Sequence, residues 1–164
     1  MTTPAEAYAK LKAPKATPPT ELCKCTGTSP IKVVLEPGFN PLRCVACGKE
    51  VAPETLKLSA EHAEAAAGWQ GPADGIYRLW LAAGEYQSWA ERQLTDISSP
   101  INVDGRRLAD ELNATRRCYY AWNIGDEPLA ACPRCGGAVA PVASSAGAQA
   151  ACDDCSIIGL GAGA

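Results

Sequence analysis

The chain has 164 residues, 18 acidic against 15 basic, a formal charge of −3, nine cysteines and a single histidine. Its length fits one modest domain or two to three small modules. An acidic balance disfavours non-specific nucleic-acid binding, since phosphates reward clustered Lys and Arg, and one histidine rules out multi-histidine catalytic or metal groups.

In chain order, Thr3-Pro4-Ala5-Glu6 is a capping-box pattern, and Tyr8 and Leu11 give the short helix it starts one apolar edge. Residues 13–20, Ala-Pro-Lys-Ala-Thr-Pro-Pro-Thr, read as an extended linker. The start lacks a basic segment followed by an apolar run, and no stretch approaches the ~20 apolar residues of a membrane span. The expected setting is a reducing cytoplasm, where clustered cysteines are metal ligands more often than disulfides.

Eight cysteines form four close pairs: Cys23/Cys25, Cys44/Cys47, Cys132/Cys135 and Cys152/Cys155. Eighteen residues separate Cys25 from Cys44, and sixteen separate Cys135 from Cys152. The second set, C-x₂-C repeated after sixteen residues, has zinc-ribbon spacing; the first has the same layout but opens with C-x-C. Cysteines one or two residues apart make strained disulfides with each other, which favours metal.

Residues 23–52 read as the first ribbon. Ile31–Leu35 is a β-branched strand, Pro37–Pro41 a turn, Leu42-Arg43-Cys44 the return strand and Lys49-Glu50-Val51 a third strand. Gly48 follows Cys47 where a metal-binding turn needs a positive φ. Pro53 to Ala67 has helix composition with Gly68 as its stop, and Gly71-Pro72 marks a break. Ile76, Leu79, Trp80 and Ala83 then recur at helical spacing, as do Tyr86, Trp89, Ala90 and Leu94; together they suggest an αα-hairpin. Asp96 to Pro100 reads as loop, with Asp104 capping a helix that carries Leu108 and Leu112. Arg117 to Trp122 is an aromatic strand leading to the second ribbon, whose strands are Gly136–Ala140 and Ser156–Ile158. Ser144–Gln149 between them reads as weakly ordered.

The expected fold is α+β: two small Cys₄ zinc-ribbon β-modules flanking a short aromatic-rich helical segment. Its parts are an N-terminal linker (1–22), ribbon one (23–52), a helical middle (53–123), and ribbon two with a C-terminal tail (124–164). The middle holds all four tryptophans and reads as the one conventional hydrophobic core. Cys23, Cys25, Cys44 and Cys47 would hold one zinc ion and Cys132, Cys135, Cys152 and Cys155 a second. Four thiolates close a tetrahedral site, which makes it structural rather than catalytic. The same quartet in a rubredoxin-like protein binds iron for electron transfer, an alternative that colour distinguishes. Each Cys₄–zinc site carries −2, so the loaded chain goes from −3 to −7.

His62 reads as a helical surface residue. Cys118, the unpaired ninth cysteine, follows Arg116 and Arg117, but an aromatic strand makes it an ordinary buried thiol. Neighbouring carboxylates such as Asp110/Glu111 and Asp153/Asp154 diverge on regular elements and read as solvated. No phosphate-binding glycine loop is present, and no catalytic residue, membrane segment or small-molecule substrate is evident.

Five segments carry a family resemblance: Tyr77-Arg-Leu-Trp-Leu-Ala-Ala-Gly-Glu-Tyr86, Trp89-Ala-Glu-Arg-Gln-Leu94, Tyr119-Tyr-Ala-Trp122, Cys-Pro-Arg-Cys-Gly136 and Cys-Asp-Asp-Cys-Ser-Ile157. Through them the run from Ile76 to Ile158, about half of the chain, resembles an uncharacterised bacterial family of zinc-ribbon-containing, nucleic-acid-binding proteins. The resemblance implies zinc at Cys132, Cys135, Cys152 and Cys155 and a bacterial cytosolic setting. It transfers no activity.

Three functions follow as expectations. The first is a non-enzymatic structural-zinc adaptor that binds a protein partner. The second is a nucleic-acid-binding module using residues 10–49, where Lys10, Lys12, Lys15, Lys24, Lys32, Arg43 and Lys49 lie; Arg106, Arg107, Arg116 and Arg117 form a smaller basic cluster. The third is the iron electron-transfer protein.

Overall fold

A computed structural model describes residues 2–12, 15, 17–122 and 127–162 of the chain. Six short strands form one sheet: β1 (Ile31–Val33), β2 (Leu42–Cys44), β3 (Cys118–Ala121), β4 (Ala140–Val142), β5 (Gln149–Cys152) and β6 (Ile157–Leu160). Their order is β2-β1-β3-β6-β5-β4. β1 and β3 run parallel, as do β3 and β6, while the other pairs are antiparallel. The register sets Ile31 opposite Cys118 and Tyr120 opposite Ile157.

The architecture is thus mixed α+β, and the strands of both cysteine-bearing regions meet in a single sheet. β3 is the splice between them. Its residues Cys-Tyr-Tyr-Ala are buried on both faces, as a central strand with parallel neighbours requires. At one edge of the sheet the chain around Glu50 pairs back on Arg43 and Leu22 as isolated bridges rather than as a third strand. At the other edge β4 carries Pro141 at its centre, a residue edge strands accept because its nitrogen has no proton to donate. The boundary drawn at residue 123 falls in 123–126, outside the described residues, as do Ala13, Pro14 and Ala16 of the linker and the last two tail residues.

Among the described residues there are five helices, α1 (Pro4–Ala9), α2 (Pro53–Leu56), α3 (Ala60–Leu81), α4 (Gln87–Thr95) and α5 (Pro100–Leu112); α5 lies on β1 and β3, and α3 and α4 pack on α5. The capping box forms on α1: the Thr3 hydroxyl accepts from the Glu6 amide (3.3 Å), and the Glu6 carboxylate accepts from the Thr3 amide (2.8 Å). Ala7 and Leu11 are buried, and the Tyr8 hydroxyl donates to the Leu58 carbonyl, so this helix docks on the body of the protein.

Two helix expectations change. The run from Pro53 divides at Lys57, whose φ of 52° is left-handed. Leu56 and Leu58 turn into the core there, and Ser59 caps α3 by accepting from the His62 amide at 3.1 Å. The expected break at Gly71-Pro72 does not occur; α3 runs for 22 residues through it. Gly68, Gly71 and Pro72 lie on the exposed side, so the carbonyl left without a donor by Pro72 faces solvent. Trp69, Gln70 and Ala73 on the buried side carry the helix across. The Gln70 amide donates to the Glu36 and Gly38 carbonyls, both at 2.9 Å. α5 likewise starts earlier than expected, with Pro100 in its first turn and Ser99 rather than Asp104 at the cap.

The main core joins β1, β2 and β3 to the helices through Ile31, Val33, Leu42, Leu58, Trp69, Leu108, Leu112 and Tyr120. It is therefore shared with the first cysteine region and not confined to the helical middle. The aromatic side chains do not gather into one cluster: Trp69 meets Tyr120 edge-on at 6.1 Å, whereas Tyr86 and Trp89 are exposed. Gly105 lets α5 lie against β3, because a Cβ there would sit 2.4 Å from the Tyr120 ring and 3.0 Å from Trp69. One turn earlier Asn102, fully buried, accepts from the Tyr120 hydroxyl (2.6 Å) and donates to the Asp96 carbonyl (2.7 Å), which pins the end of α4.

Candidate metal centres

The fold gathers the eight paired cysteines into two quartets. The sulfurs of Cys23, Cys25, Cys44 and Cys47 lie within 4.8 Å of one another, and so do those of Cys132, Cys135, Cys152 and Cys155. None of them is in a disulfide.

In the first quartet, Cys44 ends β2 and a tight turn, or knuckle, returns the chain to Cys47. The Gly48 amide donates to the Cys44 carbonyl (2.8 Å) and the Cys44 amide to the Lys49 carbonyl (2.9 Å). Gly48 has φ of +73°, the conformation that its position suggested. The Cys23 amide donates to the Glu50 carbonyl at 2.7 Å, which draws the C-x-C segment alongside the knuckle. The Cys25 amide in turn donates to the Cys23 sulfur at 3.3 Å.

The second quartet repeats the plan. Gly136 donates to the Cys132 carbonyl (2.8 Å), Cys132 to the Gly137 carbonyl (2.9 Å), and Gly136 has φ of +71°. The Gly137 amide points at the Cys135 sulfur, 3.4 Å away. Cys152 ends β5, and after the turn to Cys155 it is Ser156, not glycine, that takes the left-handed conformation, with φ of +51°. Aligning Cys-Asp-Asp-Cys-Ser with Cys-Pro-Arg-Cys-Gly is the sequence signal for that residue.

A group of side chains around Ser156, not anticipated from the sequence, fastens this last turn to β3. The Arg117 guanidinium stacks on the Tyr119 ring at 4.5 Å and donates to the Asp153 carboxylate at 3.0 Å. Tyr119 donates to the same carboxylate at 2.6 Å. Arg117 and the Asn113 amide both reach the Ser156 hydroxyl, at 3.3 and 3.5 Å.

The donor set fits a thiophilic ion. Zinc–sulfur bonds of ~2.3 Å imply tetrahedron edges of ~3.8 Å, and the Cys135 and Cys152 sulfurs are 3.9 Å apart. Burial pushes the Cys23 and Cys155 thiols up to about 12, with neighbouring thiols adding to the effect. Burial also opposes ionisation of Cys132, but the amides of Cys135 and Arg134 and the adjacent thiols outweigh it and hold that group at about 7. A cation among the sulfurs would favour the thiolate form that burial opposes at Cys23 and Cys155. Such amide–sulfur hydrogen bonds are the outer support that orients metal ligands.

The other singled-out residues lie elsewhere. Cys118 is completely buried in β3, where desolvation raises its thiol pKa, so it is not a poised nucleophile. His62 sits in the first turn of α3. Several basic residues of the 10–49 region are engaged within the molecule. Lys32 donates to Gln149 (2.9 Å), Lys49 to the Thr20 carbonyl (2.7 Å) and Arg43 to the Asn40 carbonyl (2.8 Å). Lys10 and Lys12 pair with Glu64 and Glu54.

A groove of about 500 Å³ runs between α3, α4 and α5, walled by Trp69, Ile76, Trp89, Ile101 and Leu108. Among the described residues no helix is long and apolar enough to cross a membrane. No protein family, curated protein or solved structure matches the chain. Of the expected family resemblance, the two Cys₄ groups are present; the comparisons lend nothing to its bacterial or nucleic-acid-binding part.

Proposed function

We propose that this chain is a non-enzymatic protein built around two structural zinc ions, which serves as an adaptor for another protein. The observation that carries the reading is the pair of closed sulfur quartets. Four protein ligands leave zinc no position for water or substrate, so the ion contributes folding energy, roughly 10–16 kcal/mol per site in apparent terms.

The adaptor role draws on the helical side. Trp89 is exposed and walls the groove between α3, α4 and α5, and Leu81 and Tyr86 are exposed on the chain joining α3 to α4. Aromatic side chains at a groove are the usual anchors of protein interfaces. Nucleic-acid binding is the weaker reading, because Lys32, Arg43 and Lys49 are spent on internal hydrogen bonds and the metal sites add negative charge.

Native mass spectrometry of protein purified without added metal tests the first half; two zinc ions and no colour are expected, whereas a red iron protein or a metal-free one defeats it. For the second half, the tagged chain is expected to retain a protein partner after nuclease treatment and to lose it on Trp89→Ser. A partner released by nuclease would return the function to nucleic acid.

A further inference from the structure

The segment Ser144–Gln149, which the sequence marks as weakly ordered, spans most of the turn between β4 and β5 and the first residue of β5. It reaches across the sheet to the first knuckle. Val45 and Ala46 are the two residues between Cys44 and Cys47, and both of their carbonyls are taken by this hairpin. The Ala46 carbonyl accepts from the Ser145 amide (2.8 Å), the Ser145 hydroxyl (3.0 Å) and the Ser144 hydroxyl (3.4 Å). The Val45 carbonyl accepts from the buried Gln149 amide at 3.0 Å, and the Gln149 oxygen accepts from Lys32 at 2.9 Å. Contact is close enough that a Cβ on Gly48 would lie 2.7 Å from the Ala146 methyl.

We propose that this hairpin is a clasp coupling the two metal sites, so that metal held by the second quartet slows metal loss from the first. The inference rests on reading both quartets as metal sites. The hairpin is stapled at its base by second-site ligands: Cys132 and Cys135 precede β4, and Cys152 closes β5. With those sulfurs gathered on one ion, the two strands are held in register and the tip stays on Val45 and Ala46. With the ion gone, the base opens and the tip lets go. The first knuckle then loses the donors that hold its two inner peptide groups, and with them the alignment of the Cys44 and Cys47 sulfurs. By linkage the effect is reciprocal: metal at the first site also favours metal at the second.

The test uses the full chain loaded with two zinc ions, as counted by native mass spectrometry. A chelator challenge at neutral pH, with timed alkylation and peptide mass spectrometry, reads each quartet separately; buried Cys118 reports any global unfolding. In the Cys152→Ser/Cys155→Ser variant, alkylation of Cys44 and Cys47 is expected to speed up about ten-fold, within the usual range of coupling between sites. The Ser145→Ala/Gln149→Leu variant keeps every ligand and serves where the first variant exposes Cys118. It is expected to speed first-site loss several-fold and, by the same reciprocity, to lower second-site zinc affinity by a similar factor. A wild-type chain without metal overturns both the metal reading and the coupling. Two bound ions with a first-site rate indifferent to the clasp substitutions overturn the coupling alone.

Discussion

The first quartet is set against the main core, whereas the second hangs at the far end of the same sheet. Cys44 shares a core with Ile31, Leu42, Leu58 and Leu112, backed by α3 and α5. Buried apolar contacts at the second site are few: Cys132, Cys152 and Ile157, with Ile97, Trp122, Leu129 and Val139 partly covering them. The knuckles themselves match in hydrogen bonding and in glycine φ. What differs is how much apolar burial surrounds each. A local turn can be specified by a few residues, while its dependence on metal is set by how large a core stands behind it.

The strongest challenge to that contrast is chelation. Hydrogen exchange is expected to show residues 129–160 losing protection together when metal is removed, while α3 and α5 keep theirs. Equal loss at both sites would erase the distinction. Next comes Gly105→Ala, which drives a methyl into Tyr120 and Trp69 and is expected to lower stability by about 2–3 kcal/mol in denaturant titration. Second-site metal retention should be unaffected by it, because the packing at fault belongs to the helical side.

The shared strand gives a pH test. Burial raises the Cys118 thiol above its ordinary 9.0 and the Tyr120 phenol above 10.0. Folded β3 thus keeps protons that the unfolded chain gives up, and its contribution is intact below pH 9 and shrinks as pH rises further. The expected slope is about 1.4 kcal/mol per pH unit for each group. Thermal melts between pH 8 and 10.5 should show it, and Cys118→Ala should flatten the part between 9 and 10. The smallest effect is Arg117→Ala, at about 1 kcal/mol since the side chain is partly exposed. It should quicken chelator release at the second site first, with the first site following through the clasp.

The gathering of eight cysteines into two quartets was legible, because their spacing is local and Gly48 marks its turn directly; Gly136, read as the start of a strand, takes the matching turn instead, and the strand begins at Ala140. The α1 capping box and the β3 segment were legible for the same reason. Gly71-Pro72 misled because the stop signal is local while the buried stripe through Trp69 and Ala73 decides the outcome. Parallel pairing of β1 with β3 joins residues almost ninety positions apart (Ile31 and Cys118), which no short-range pattern encodes. Ser144–Gln149 looked featureless because much of its order comes from Val45 and Ala46, about a hundred positions away.

Pro141 has one more consequence. A sheet that ends on an open strand normally offers its free backbone to any passing chain, the first step toward fibres. Here the middle residue of that rim lacks a proton to give, and only three residues are on offer. Strand-on-strand pairing through β4 is thereby disfavoured, so concentrated solutions of the protein are expected to stay clear.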